Sequence, residues 1–223
     1  MKKILKLLDF QKDGFLPQAL LNFLALLGWT PPSGKEILTL SEMTQEFDLK
    51  DVNITPAIFD VSKLTWMNGE YIRMTSDEKL RDALQDFLVD HPVKEKLVPL
   101  IPLVKERIKK LSDFIPLTQF LFEQVEYEAE IFNNLKIENI KVALEKVLFK
   151  LENMGRPWNA RIFEETFRDL AQELDISVTQ MFQLIRVSVS GQAVTPPLFE
   201  SIKILGEEET VKRVQYALNF VSV

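Results

Sequence analysis

Apolar positions repeat with the period of an α-helix along the second half of the chain. From Ser76 onward they recur about every 3.6 residues, and residues with capping preferences separate the runs. The predicted helices span residues 76–90, 92–111, 114–122, 137–154, 159–174, 177–189 and 195 to the C-terminus, the last with a break at Gly206. This half of the chain is therefore predicted to be entirely helical.

The first 75 residues follow a less regular pattern. Segments 30–34 and 53–56 contain proline, glycine or asparagine and predict loops between short helices, for which Ser41 and Asp60 are candidate N-caps. Residues 36–40 have the composition of a short, weakly paired strand. The pattern predicts a small, irregular α/β module ahead of the helical part.

One segment of this module is apolar on nearly every side. Pro17 suits the first position of a helix, where the missing N–H has no partner to lose, and Gly28 suits the end. The apolar residues between them include Leu20, Leu21, Phe23, Leu24 and Leu27. A helix of this length is too short for a bilayer, which needs roughly 20 residues. All-round hydrophobicity is typical of a buried helix, so we predict a helix in the protein core.

The chain length predicts more than one structural unit. At 223 residues the chain exceeds a typical domain of about 100–150 residues. A boundary is predicted near residues 153–157, where glycine and proline separate two helices. The predicted domains are residues 1–75, 76–154 and 155–223, the last two being helical bundles.

Composition narrows the possible functions. Hydrophobic residues make up 46% and charged residues 27%, which is typical of a globular protein. The absence of cysteine excludes disulfides and thiolate metal sites and suits a reducing cytoplasm. The first ten residues lack the layout of a secretory signal, so a cytoplasmic location is expected. A net charge of -6 argues against general coating of nucleic acid, and any RNA-binding surface would have to be local.

Few residues of the chain suit catalysis. The single histidine, His91, lies between two predicted helices and fits a turn residue. The seven glycines form no phosphate-binding loop, dinucleotide fingerprint or nucleophile elbow. We expect no catalytic residue, no metal site and no bound cofactor in this chain.

Two regions carry candidate RNA-binding chemistry. Residues 92–111 contain six Lys or Arg and two Glu, and the apolar residues of the predicted helix would leave the basic side chains in solvent. Further on, Gly191 is predicted to end one helix and Thr195 to cap the next, which places a positive helix end beside Arg186. Such an end suits a phosphate or a base carbonyl. Each pattern also fits an ordinary solvated helix face or a well-capped helix pair.

Aromatic and acidic residues of the helical part suggest no further site. Their spacing predicts core packing for the phenylalanines at 120, 122, 163, 167, 182, 199 and 220. The glutamates at 123, 126, 128 and 130 are expected to form a solvated face.

Two segments of the first module resemble a known family. They read GFLPQALLNFLALLGW at residues 14–29 and KLTWMNGEYIR at residues 63–73, the latter preceded by Phe59-Asp60. In their order and amino-acid sequence they are similar to bacterial glutamyl-tRNA synthetases, in the part that follows the ATP-activating lysine loop and leads into the anticodon-binding helices. The resemblance extends over essentially the whole chain and implies the C-terminal half of such an enzyme, without its catalytic domain.

The resemblance also implies what is missing. Synthetases of this class bind ATP with a His-x-Gly-His element and a Lys-x-Ser-Lys-type loop. This chain has one histidine, and its first six residues contain no serine followed by lysine. The chain alone is therefore expected to bind tRNA without catalysing, and ATP and magnesium are implied only for the full-length enzyme.

Particular RNA contacts follow from two further matches. Residues 107–114, RIKKLSDF, resemble the family's Arg-x-x-x-Leu-x-Asp-Phe, in which the arginine reads the third anticodon base, and Arg107 has that place. A planar guanidinium can donate two parallel hydrogen bonds to a base. Residues 184–200 resemble the family's C-terminal word, which makes Arg186, Thr195 and Leu198 candidate anticodon contacts, and Arg168 matches another basic position.

The resemblance implies the tRNA-binding portion of a glutamyl-tRNA synthetase. Its partners would be tRNA(Glu), chiefly through the anticodon loop, and the catalytic domain in cis, with no membrane contact and a monomeric state. The alternative from a different class is a helical protein-interaction module or a truncated paralogue. The presence of Arg107, Arg186 and Thr195 at the matching positions favours RNA binding over that alternative.

Overall fold

The protein is helical, as its sequence predicts. A computed structural model describes residues 6–53, 57–89, 91 and 97–222, and within these ranges thirteen α-helices occur and no β-strand. In chain order they are α1 (Leu7–Lys12), α2 (Pro17–Gly28), α3 (Leu40–Glu46), α4 (Val61–Met74), α5 (Asp77–Phe87), α6 (Ile101–Val104), α7 (Phe114–Thr118), α8 (Ala129–Asn133), α9 (Ile140–Asn153), α10 (Ala160–Glu173), α11 (Val178–Ser190), α12 (Leu198–Leu205) and α13 (Glu207–Phe220). Over the described ranges, no helix combines the length and the apolar character needed to cross a membrane.

The chain divides into two compact units, residues 1–116 and residues 117–223. The predicted domain boundaries near residues 75 and 154 each fall inside one of these units. The division into three domains stays a prediction.

The first unit is built on the packing of α2 against α4. Phe15, Leu20 and Phe23 form a buried cluster with Leu64 and Met67 of α4. α2 has the predicted bounds, with proline as its first residue and glycine as its last. Proline is tolerated there because its missing N–H falls among the unpaired donors of the first turn.

Helix caps agree with the sequence at one position and differ at another. The carboxylate of Asp60 accepts the backbone N–H groups two and three residues further on, at 2.8 and 3.1 Å, so its predicted cap of α4 is confirmed. The prediction of Ser41 as a cap is wrong, because α3 is capped by Thr39. The Glu42 carboxylate accepts the Thr39 N–H at 2.7 Å, and the Thr39 hydroxyl accepts the Glu42 N–H at 3.2 Å. This reciprocal pair needs an acidic or amide side chain three residues after the cap, which Ser41 lacks.

The predicted strand at residues 36–40 is wrong, because the backbone there is bonded to side chains. Leu38 donates its N–H to the amide oxygen of Asn22 at 3.0 Å. Its carbonyl oxygen lies 2.5 Å from the hydroxyl of Tyr71, which also lies 2.8 Å from the Asn22 oxygen. Burial raises the pKa of Tyr71 to about 12, so it stays a neutral donor. The loop is thus fixed to α2 and α4 without a strand partner.

The predicted helix at residues 92–111 is wrong over its described part, residues 97–111. Only Ile101–Val104 is α-helical, and a turn follows. Pro99 and Pro102 have no N–H to give to a continuous helix. Further on, one carboxylate oxygen of Asp113 accepts the backbone N–H groups of residues 109 and 110, both at 2.9 Å, and so removes them from helical bonding. Residues 92–96 lie outside the described part of the chain.

α2 is less buried than its sequence predicts. Leu20 and Phe23 lie in the core, but Leu21 and Leu24 on another face of the helix are 48% and 45% exposed. The prediction of a helix buried on every side is therefore wrong for this face, and the protein presents apolar side chains to solvent there.

The second unit is a helical bundle centred on α11. This helix packs against both α10 and α13, and α13 also packs against α9. Phe163, Phe167 and Leu184 are among the fully buried residues of the shared core. The helices predicted at 137–154, 159–174 and 177–189 are confirmed to within three residues, and Gly206 separates α12 from α13 with a φ of +91°. The predicted helix 114–122 begins as α7 and continues as a short 3-10 helix over Gln119–Leu121.

Substitution of Gly14 can test the close packing of backbone segments in the first unit. Its φ is +82°, and an added Cβ would lie 2.5 Å from the backbone nitrogen of Ser112. Gly34 has a similar φ of +68° with no atom within 4 Å of an added Cβ. Gly14→Ala is expected to lower the free energy of unfolding by about 1–3 kcal/mol more than Gly34→Ala, since both introduce strain at positive φ and only the first adds a clash. Urea unfolding followed by circular dichroism measures the difference, and equal losses would contradict the close approach.

Candidate nucleic-acid interface

Arg107 lies on an exposed turn of the first unit. Its backbone N–H donates to the carbonyl of Val104 at 2.8 Å, which closes the turn after α6. Its side chain is exposed and has no hydrogen bond or ion pair with any described residue. The nearby Lys105, by contrast, is paired with Asp77 at 2.9 Å. The Arg107 side chain is therefore accessible to solvent.

The turn that carries Arg107 is anchored by a buried amide. The Nδ2 group of Asn68 donates to the carbonyl of Lys109 at 2.5 Å, and its Oδ1 accepts the N–H of Leu16 at 2.7 Å. The N–H of Leu111 donates to the carbonyl of Gly14 at 2.9 Å. Two segments that carry the sequence resemblance, 14–29 and 107–114, are thus bonded directly to each other.

In the second unit, Arg186 is bonded to the segment that leads into α12. The side chain is half-buried on α11, and its Nη1 donates to the hydroxyl oxygen of Thr195 at 2.5 Å and to the carbonyl of Pro196 at 3.2 Å. Thr195 is only 1% exposed. Its hydroxyl serves this internal network, which fixes the direction in which the chain enters α12.

The predicted helix cap at Thr195 is wrong. α12 begins at Leu198, and Pro197 occupies the capping position without a side-chain hydrogen bond. The Thr195 hydroxyl instead donates to the carbonyl of Pro196 at 2.8 Å. If Thr195 were the cap, Pro197 would be one of the two residues that normally donate to the capping side chain, and proline has no N–H to donate. Gly191 does end α11, with a φ of +67° as expected for its position.

A pocket of about 370 Å³ opens where α10, α11 and α12 meet. Two residues predicted from the sequence line it, Arg168 from α10 and Leu198 from α12. Arg168 forms an exposed ion pair with Glu164, with Nη2 and Oε1 2.7 Å apart. The remaining lining residues are Ala160, Phe163, Glu164, Phe182, Phe199 and Glu200. The pocket therefore combines an arginine, carboxylates and aromatic rings.

Sequence reasoning missed the aromatic wall of this pocket. Core packing is confirmed for Phe163, which is buried, and its ring contacts Phe199 edge-on with centroids 5.6 Å apart. Phe182 and Phe199 also pack against the core, as predicted, but they are only half-buried and line the pocket as well. Helical periodicity places a side chain toward the core but does not distinguish a packed position from a pocket wall. The sequence feature that could have indicated Phe199 as a site residue is its position next to Leu198 in the matched C-terminal motif, residues 184–200.

A buried arginine fixes the C-terminal end of α11. Arg213 of α13 is 7% exposed, and its Nη1 donates to the carbonyls of Phe120 and Val189 at 2.6 and 2.9 Å. Its Nη2 donates to the carbonyl of Glu123 at 3.1 Å, and its Nε donates to the Glu209 carboxylate at 2.9 Å. A cation at the carboxyl end of a helix also interacts favourably with the helix dipole. Arg213 thereby stabilises the helix on which Arg186 lies.

The five predicted contact residues belong to two different units. Arg107 lies in the first unit, and the other four lie in the second. Within the second unit, Arg186 and Thr195 are bonded to each other, and Arg168 and Leu198 share a pocket.

Comparison with known proteins identifies the class. Residues 78–218 match the family model described as anticodon binding domain, which is more than half of the chain. The chain belongs to the anticodon-binding domain family. Residues 2–66 match a second model, the catalytic domain of class I tRNA synthetases (E and Q). The sequence interpretation assigned those residues to a stem-contact module, and that assignment stays a prediction.

Its relatives are glutamate–tRNA ligases. The chain is 35% identical over 221 residues to glutamate–tRNA ligase 1 of Caldanaerobacter subterraneus subsp. tengcongensis, covering 96% of this chain and 46% of the relative. It is 37% identical over 216 residues to glutamate–tRNA ligase of Clostridium tetani, covering 94% and 44%. The solved glutamate–tRNA ligase of Elizabethkingia meningosepticum has a similar structure, with a TM-score of 0.80, 26% identity, and coverage of 94% of this chain and 42% of that one. The chain spans somewhat less than half the length of these curated relatives.

The role of Arg213 is open to a direct test. Arg213→Met is expected to lower the free energy of unfolding by at least about 3 kcal/mol, because it leaves several buried carbonyls without donors and removes the partner of Glu209. Lys212→Met, one residue earlier and exposed, is the matched control and should change stability by no more than about 0.5 kcal/mol. Urea unfolding at neutral pH compares the two variants. Losses of similar size would show that the buried network does not hold α11.

Proposed function

We propose that the chain binds tRNA(Glu) through its anticodon loop, as the RNA-binding part of a glutamate–tRNA ligase. The observation that carries this proposal is the pocket in which Arg168 and Leu198 meet the half-buried rings of Phe182 and Phe199. Bases in a single-stranded loop offer flat faces for stacking and edges for hydrogen bonds. Aromatic rings and an arginine at one opening suit both kinds of contact.

On this proposal Arg186 and Thr195 have different roles. Arg186 is half-buried, and its guanidinium lies beside the entry to α12, so it can present charge to the RNA backbone or to a base. Thr195 is buried, so its contribution is to position Arg186 and the start of α12. Leu198 is also largely buried and offers the edge of an apolar surface at the pocket.

Arg107 supplies a separate contact in the first unit. Its exposed guanidinium on an anchored turn fits the role of reading the third anticodon base. Rigid anchoring matters because a bidentate contact discriminates between bases only when the donor geometry is held. Glutamate attachment, with its need for ATP and magnesium, would belong to the catalytic domain in cis. A cytoplasmic location and a monomeric state stay predictions.

A second candidate function is protein interaction. The observation that favours it is the exposed apolar face of α2 at Leu21 and Leu24. This surface is different from the pocket of the second unit.

Arg107→Gln is expected to weaken selectivity at the third anticodon base more than overall affinity. A bidentate base contact carries roughly 1–3 kcal/mol of discrimination, whereas phosphate contacts carry none. Direct binding at fixed salt to stem-loops whose anticodon has cytosine or guanine as its third base measures both quantities. Arg81→Gln, which removes an arginine paired with Asp82 on α5, is the control and should change neither. Equal losses for the two stem-loops would mean that Arg107 contacts phosphate only.

Arg186→Ala is expected to reduce affinity for a glutamate-tRNA anticodon stem-loop by about tenfold or more, because it removes a cation and frees the segment before α12. The control is Arg161→Ala, which removes an exposed arginine paired with Glu165 outside the pocket and should change affinity little.

The salt dependence of wild-type binding should be shallow, with a slope on the order of -2 to -4 in log K against log salt, because a small basic surface neutralises few phosphates.

The decisive comparison uses RNA of equal length. A titration at physiological salt that shows no preference for the glutamate-tRNA stem-loop over an unrelated hairpin would contradict anticodon recognition and favour the protein-interaction function.

A further inference from the structure

The direction of the Arg107 side chain depends on the backbone of its turn. The N–H groups of Arg107 and the next residue both donate to the carbonyl of Val104, at 2.8 and 3.0 Å, and the following two donate to the Asp113 carboxylate. The side chain itself has no hydrogen bond or ion pair with the described residues. Arg186 differs, because its guanidinium is bonded directly to the hydroxyl of Thr195. Any positioning of Arg107 therefore has to act through the turn.

Two further hydrogen bonds tie the backbone of this turn to distant segments of the described chain. Leu111 donates its N–H to the carbonyl of Gly14 at 2.9 Å. The carbonyl of Lys109 accepts the Nδ2 group of Asn68 at 2.5 Å. The second bond lies nearer to Arg107, two residues along the chain rather than four. In the described part of the protein, Asn68 is thus the distant side chain that holds the turn backbone closest to Arg107.

The amide of Asn68 is held in one orientation. Its side chain is fully buried on α4, and its Oδ1 accepts the N–H of Leu16 at 2.7 Å. The amide nitrogen then faces the Lys109 carbonyl, which needs a donor. A half-turn of the amide would place donor against donor and acceptor against acceptor. The two ends of this side chain therefore have separate partners, and one end can be changed without the other.

We propose that Asn68 is a positioning residue for base recognition, which holds Arg107 through the Lys109 carbonyl in the geometry that discriminates the third anticodon base. This inference rests on the proposed function, because it concerns the same contact. A bidentate contact has strict angular requirements, so a turn that moves freely would keep the charge of Arg107 and lose its discrimination. Loss of the Asn68 bond should therefore lower selectivity and leave general affinity for RNA largely intact.

A change from amide to acid isolates this bond. Asn68→Asp keeps an oxygen for the N–H of Leu16 and removes the donor to Lys109. Asn22→Asp is the matched control, because Asn22 is also fully buried in the first unit and its oxygen also accepts a backbone N–H, that of Leu38. The Nδ2 group of Asn22 has no hydrogen-bond partner among the described residues. Both variants bury a carboxylate and lower stability, but only Asn68→Asp removes a bond to the turn.

Selectivity is measured as the ratio of affinities for two stem-loops that differ only in cytosine or guanine as the third anticodon base. Asn68→Asp is expected to lower this ratio by about fivefold or more, because a small misplacement of an oriented group can cost up to about a hundredfold. Asn22→Asp should leave the ratio unchanged. In the Arg107→Gln background, Asn68→Asp should lower the ratio no further, because Asn68 acts through Arg107.

Two arms keep the test independent of how well the aspartate variants fold. If circular dichroism shows that they are unfolded, the uncharged pair Asn68→Ser and Asn22→Ser replaces them, with the same expected results. Hydrogen exchange of the wild-type chain needs no variant, and the amides of residues 109–111 should exchange more slowly than those of the exposed Lys35 and Glu36. Equal exchange rates would contradict a turn that is held in place.

Three binding results would overturn the positioning role. They are an unchanged ratio in folded Asn68→Asp, an equal fall of the ratio in Asn22→Asp, and a further fall when Asn68→Asp is added to Arg107→Gln. If Arg107→Gln itself leaves the ratio unchanged, the proposed reading of the third base is rejected. Selectivity that is lost with Arg107→Gln and kept with Asn68→Asp rejects the role of Asn68 alone.

Discussion

The side-chain amide of Asn68 joins three segments of the first unit. It is fully buried on α4, accepts the N–H that precedes α2 and donates to the carbonyl of Lys109. Both backbone groups belong to irregular segments, where no helical partner exists. A buried backbone group without a partner costs about 1–3 kcal/mol, so this one side chain stabilises both the start of α2 and the turn that carries Arg107.

In the second unit, arginine side chains bind the backbone groups that have no helical partner. Arg213 binds three carbonyls at the end of α11 and in the 119–123 segment, and Arg186 binds the segment before α12. The first is buried and only structural, whereas the second is half-buried and lies near the pocket. On the proposed function, an arginine that already orders this segment would lose little further conformational freedom when RNA binds, which favours affinity from few contacts.

Local signals predicted the regular helices and failed where side chains or prolines remove backbone groups from regular bonding. Periodicity and capping located α9 to α11, and the cap at Asp60 followed from its own sequence. The prediction at 36–40 failed because Asn22 and Tyr71, on other helices, bind that backbone, and such contacts do not show in a periodic pattern. The prediction at 97–111 failed because periodicity outweighed Pro99 and Pro102, which cannot continue a helix, and because Asp113 binds two N–H groups of the turn. Of the candidate site, basic residues were predicted from matched words, whereas Phe182 and Phe199 were read as core, since a pocket wall and a packed core share the same spacing.

α2 is more exposed than its apolar sequence predicts. Its sequence has the composition of a fully buried helix, and the first unit covers only part of it. Leu111 borders the groove between α1, α2 and α5. Its N–H is bonded to the carbonyl of Gly14, and it lies four residues after Arg107. The wall of this groove and the turn that carries Arg107 are therefore joined by a short stretch of backbone. The same few hydrogen bonds, from Leu111 to Gly14 and from Asn68 to Lys109, thus place both the Arg107 turn and the apolar surface beside α2.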